Sequence, residues 1–170
     1  MDGTNSEPDQ ETLEFAAKVF QAARDGDAQT LGPLLKQGLP VDLRNDKGDT
    51  LLMLASYHGQ EAATRTLLEA GADPSIPNDR GQTPLAGAAF KGEQRIAELL
   101  IGHGAAVDDG GPSGKTPAMI AAMFDRVAML KMLERHGADL HAANADGATP
   151  LAAAKMMGAA EAANFLQQNA

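Results

Sequence analysis

The sequence predicts an all-α solenoid of about five stacked helix-turn-helix units with hairpin fingers between them, and three observations carry that prediction. Gly48, Gly81, Gly114 and Gly147 stand 33 residues apart, with Thr50, Thr83, Thr116 and Thr149 in the same register two residues later. Gly38, Gly71, Gly104 and Gly137 keep the same spacing, as do Gly26, Gly59, Gly92 and Gly158, with Asp125 filling the gap in that series. Between these markers lie short apolar runs, LMLASYH, LAGAAFK, AMIAAMF and LAAAKMM. A period of this length without insertions marks an array in which each unit buries its apolar face against its neighbours.

The chain opens on MDGTNSEPDQE, a polar acidic stretch with no basic n-region and no apolar segment. Residues 1–12 are expected to form a disordered acidic tail, with no secretory leader or membrane anchor and a cytoplasmic location by default. Residues 13–170 form the repeat domain, divided as 13–45, 46–78, 79–111, 112–144 and 145–170. The first unit lacks a Thr-Pro pair and carries Pro33 in its second helix, while the last ends in FLQQNA. Both read as end caps of a complete array.

Within a unit, each recurring residue has a local job. A threonine before Pro84, Pro117 and Pro150 starts the first helix, because its hydroxyl caps free N–H groups and proline suits the first turn. Ala55, Ala88, Ala121 and Ala154 share a slot that lets neighbouring helices approach closely. Glycine then breaks the chain between helices, and the second helix carries apolar pairs such as Leu67–Leu68 and Leu100–Ile101. Gly71, Gly104 and Gly137 end it.

This pattern, seen in DRGQTPLAGAAFKGEQRIAELLIGHGAAV and its neighbours, resembles the ankyrin repeat over about nine tenths of the chain, and in size and acidity it is similar to stand-alone ankyrin-repeat proteins of bacteria. The resemblance implies a non-enzymatic binding module. Met53, Ala86, Met119 and Ala152 replace the family's histidine, so looser loops are expected. Gly87 inside a helix costs about 1 kcal/mol relative to alanine. Asp125 is expected in the left-handed conformation its sister glycines supply, so that Asp125→Gly would stabilise by about 0.5–1 kcal/mol. The finger at Asp108–Ser113, DDGGPS, is expected to be the most mobile.

Charge and composition remove several function classes. With 14 basic against 23 acidic side chains the net charge is −9, which disfavours nucleic acid and anionic membranes and suggests a protein partner with a basic surface. The absence of cysteine removes thiolate nucleophiles, thiolate metal sites and disulfides. Gly110–Thr116 imitates a phosphate-binding loop, but Asp109 stands where that motif needs glycine. His103 and His136 fill one helix-end slot, His58 and His141 others, and none has the i, i+4 spacing of a zinc motif. Asp73 and Asp139 belong to turns. No catalytic set, metal or cofactor is expected, and the array is expected to fold as a monomer without them.

The binding residues are expected where the period holds but the side chain varies. Just before the interhelical position stand Tyr57 and His58, Phe90 and Lys91, Met123 and Phe124, and Met156 and Met157. The resemblance places them on the concave face, as a stripe about 30 Å long at helix-packing spacing. Large residues at such spacing also serve as packing between repeats, and that alternative stays open. Lys47, Asp49, Arg80, Gln82 and Lys115 on the fingers would supply a polar rim. The reading is an interaction module that grips one partner, such as an inhibitor, immunity or helper protein for one enzyme. A general assembly scaffold or a small-molecule groove is the alternative.

Overall fold

A computed structural model describes residues 8–170, with ten α-helices among them. Each unit contributes an inner and an outer helix: α1 (Gln10–Asp25) with α2 (Ala28–Lys36), α3 (Leu51–Tyr57) with α4 (Glu61–Glu69), α5 (Pro84–Lys91) with α6 (Gln94–Gly102), α7 (Pro117–Met123) with α8 (Val127–Arg135), and α9 (Pro150–Met157) with α10 (Ala160–Gln168). The inner helices pack on one another in chain order and the outer helices do the same, giving two layers.

The recurring residues act as their chemistry requires. The hydroxyls of Thr50, Thr83, Thr116 and Thr149 accept from the N–H of Met53, Ala86, Met119 and Ala152 at 3.1–3.3 Å, one cap per inner helix. The four alanines of the Ala55 slot are completely buried, which holds adjacent inner helices at close approach. Leu31, Leu52, Leu67, Leu85, Leu100, Leu133 and Leu166 are fully buried between the layers. Thr64 of α4 is buried too, and its hydroxyl has no partner among the described residues.

Two local expectations change. The helix α1 begins at Gln10 because the Asp9 carboxylate accepts from Thr12 N–H at 2.8 Å, so residues 10–12 are helix rather than tail. Residues 1–7 of the expected tail lie outside the described residues. The fingers are anchored without the missing histidine. Asn45 Oδ1 accepts from the N–H of Lys47 and Asp49, and Asn78 and Asn144 repeat this arrangement. The third finger has Gly111 at that position and takes a 3-10 turn over Gly111–Ser113, held by Asp109 accepting from Gly111 N–H at 2.7 Å.

Asp125 has φ 57°, the left-handed conformation expected of it. Its side chain does something the sequence reading did not anticipate: Oδ1 accepts from Ala162 N–H at 2.7 Å, in the first turn of α10. Gln60 and Arg126 each reach back to a carbonyl of the preceding unit, Arg24 and Phe90 respectively. Ala159 in the last unit cannot reach, and Asp125 reaches forward instead.

Candidate binding groove

The inner helices end in a row of large side chains, and the fingers rise beside them. Between the two runs an open groove of about 500 Å³ across units 2, 3 and 4. Ten of the thirteen predicted contact residues line it: Tyr57, His58, Phe90, Met123 and Phe124 from the helix ends, and Lys47, Asp49, Arg80, Gln82 and Lys115 from the fingers. Lys91 sits on its flank, with Nζ 5.2 Å from the centre of the Tyr57 ring. Met156 and Met157 lie outside it, on the exposed end of the last inner helix.

The rings form a ladder. Tyr57 stacks on Phe90 with centroids 6.3 Å apart and planes 7° apart, and Phe90 meets Phe124 edge-on at 4.6 Å. His58 meets Tyr57 edge-on at 5.6 Å. These steps are shorter than the helix spacing of about 8–10 Å, because the side chains lean toward one another. The result is a compact apolar patch over three units rather than a stripe over four. Its third rung is Phe124 and not Met123, although Met123 shares the register of Tyr57 and Phe90.

Exposure sorts the rungs. Tyr57 and Phe124 remain 37% and 40% exposed, whereas Phe90 is half-buried and packs partly on the core. Phe90 thus serves both packing and surface, so its truncation is expected to disturb the fold more than that of Phe124.

The groove also contains residues that the period did not reveal. Gly87 is on its floor, where an added Cβ would lie 3.3 Å from Tyr57 Cδ2. The costly helical glycine therefore makes room for the first rung. Arg24, near the end of α1, adds a cation from the unit that lacks the Thr-Pro signature. Both needed the neighbouring unit in place to be recognised.

The electrostatics of the groove differ from those of the chain. Arg24, Lys47, Arg80 and Lys115 line it against one carboxylate, Asp49. Asp49 is already engaged, its Oδ1 accepting from Asn78 Nδ2 at 3.0 Å across adjacent fingers. The net charge of −9 that suggested a basic partner is thus not concentrated among the residues that line this groove.

The remaining candidate chemistry resolves into structure. Gly110–Thr116 is a finger followed by the Thr116 cap, and its Lys115 points at the groove. His103 ends α6 with Nδ1 2.9 Å from the Leu99 carbonyl oxygen, and His136 ends α8. Asp73 accepts from the Ser75 hydroxyl and N–H, which holds its carboxyl below the usual aspartate range. Asp139 accepts from His141 N–H at 2.9 Å in the equivalent turn. No cluster of three metal-ligating side chains occurs among the described residues, and no helix among them is long and apolar enough to cross a membrane.

Comparison with known proteins adds two findings. A family model described as ankyrin repeats (3 copies) matches residues 19–110 and 96–170. An ankyrin repeat protein of Pseudomonas aeruginosa, PA3287, is 55% identical over 64 residues, which cover 38% of this chain and 37% of that protein. The match thus spans little more than a third of the relative's length.

Proposed function

The chain belongs to the ankyrin-repeat family, whose repeats are in general protein–protein interaction modules, and from that premise we propose that it is a non-catalytic module that grips one partner protein in this groove. The observation that carries the reading is the convergence of a part-exposed aromatic ladder with a polar rim on a single face. Aromatic side chains clustered in a partly desolvated patch are the usual hot spots of interfaces. A single compact patch suits a dedicated partner, as in an inhibitor, immunity or helper protein for one enzyme, better than a scaffold with several weak ones. A small-molecule site would call for an enclosed cavity with convergent polar groups, whereas this groove is open along the array and its one carboxylate is tied to Asn78.

A pair of variants tests the reading on the partner recovered from the native host. Phe124→Ala is expected to cost at least about 2 kcal/mol of binding with little loss of stability. Leu100→Ala, fully buried, is expected to cost about 2–5 kcal/mol of stability. A Phe124→Ala protein that melts as early as Leu100→Ala would return the ladder to the core. One that keeps both fold and affinity would move the partner off the groove.

A further inference from the structure

The fingers bring three cations to the groove from successive units: Lys47 and Arg80 hold one slot 33 residues apart, and Lys115 stands two positions beyond that slot, which Ser113 fills in its own finger. Within the described residues the ion pairs are Arg44 with Asp79 and Glu61 with Arg65, so these three cations are free to meet a partner. Adjacent helices, and with them the fingers, are spaced about 8–10 Å apart. An extended chain must return a charge to the same face at that interval. In a β-strand the same face recurs about every 6.6 Å, which overshoots or undershoots the fingers. A polyproline II chain has three residues per turn at about 3.1 Å each, so the same face recurs about every 9 Å.

Resting on the groove reading above, we propose that its occupant is an acidic protein segment in a polyproline II-like conformation, with Asp or Glu at every third position facing Lys47, Arg80 and Lys115 and apolar side chains turned onto the Tyr57–Phe90–Phe124 ladder. The carboxylates meet cations at the rim while the apolar groups cover the rings, which matches the side-by-side arrangement of the two rows. Arg24 stands 33 residues before Tyr57, in the slot of the ladder rather than of the fingers, and adds a further cation at the groove's first-unit end. A nucleic acid strand would also find cations and stacking rings here. It carries a charge on every nucleotide, however, and so meets the long-range repulsion of a chain with net charge −9. A short acidic segment with a carboxylate at every third residue carries far fewer charges than such a strand and so meets less of that repulsion, while the cations beside it lie within the screening length of about 8 Å.

The test is selection of random peptides about twelve residues long on the full chain, followed by fluorescence anisotropy of the selected peptides. The expected winners carry Asp or Glu at three-residue intervals with apolar residues between. Their affinity is expected to fall at least tenfold when Lys47→Glu, Arg80→Glu and Lys115→Glu are combined, with the helical circular dichroism unchanged, and to weaken as salt rises. Neutral or basic winners, no enrichment at all, or an unaltered affinity in the triple variant overturn the proposal. So does an oligothymidine of matching length that competes as well as the peptides. The two readings fail differently: binding lost in Phe124→Ala but kept in the triple variant leaves a protein-binding groove without the acidic preference. Binding indifferent to both sets removes the groove itself.

Discussion

Replacing Asp125 with glycine sets three effects against one another, and the geometry decides which wins. The left-handed backbone at φ 57° costs a non-glycine residue about 1 kcal/mol, less for aspartate than for most, and glycine relieves it. Glycine also has more unfolded-state freedom, which takes back about 0.4–1 kcal/mol. Those two nearly cancel. What remains is the hydrogen bond from Ala162 N–H to the carboxylate, at 2.7 Å, in the first turn of a helix whose own N-cap, Ala159, has no acceptor side chain. Loss of an N-capping acceptor costs about 0.5–2 kcal/mol. The substitution is therefore expected to destabilise by about 1 kcal/mol, reversing the gain that the backbone alone predicts. Urea denaturation followed by circular dichroism measures it; with a slope of about 1–3 kcal/mol per molar the midpoint falls by about 0.3–1 M. Asp125→Asn, which keeps both an acceptor and tolerance of the left-handed region, should lie between glycine and the native residue. Native-state hydrogen exchange localises the effect to the amides of Ala162 and its neighbours in α10. A higher midpoint for Asp125→Gly, or unchanged exchange at Ala162, would refute the capping argument.

Other consequences follow from the same structure. Gly87→Ala should leave the unfolding free energy in urea level or raise it by up to about 1 kcal/mol, as alanine favours the helix, while weakening partner affinity because its Cβ crowds the Tyr57 ring; a clearly lower midpoint would contradict this. Thr64→Val should stabilise by about 1 kcal/mol in the same melt, since it removes a buried hydroxyl without a partner at nearly constant volume. Hydrogen bonds from Thr30, through its hydroxyl first and then its N–H, hold the Asp27 carboxyl below the usual aspartate range, and Ser75 does the same for Asp73. A carboxyl depressed on folding contributes stability above its unfolded value that is lost as pH falls through the folded one, so melts should weaken below about pH 4, and less steeply in Asp73→Asn. Amides at Gly110–Lys115 should exchange faster than those at Lys47–Asp49, because the third finger lacks the asparagine anchor; equal protection would show that Asp109 replaces it fully.

The repeats were legible in the sequence because the residues that recur act over short distances along the chain. A threonine hydroxyl caps an N–H three residues on, a glycine takes its own positive φ, and an alanine slot needs only to be small, so each works wherever the period places it. The same locality let Asp125 be assigned its backbone conformation. Lateral contacts between units were not legible. Asp125 meets Ala162 37 residues away, Gly87 faces Tyr57 across two helices, and Phe124 takes the rung that register assigns to Met123. Each depends on where a side chain leans once two helices are packed, and a one-dimensional period does not encode that direction. The charge of the groove is the same case: composition sums every charge on the chain, whereas only the stacked helices and fingers bring Arg24, Lys47, Arg80 and Lys115 to one face and leave most of the acids on the others.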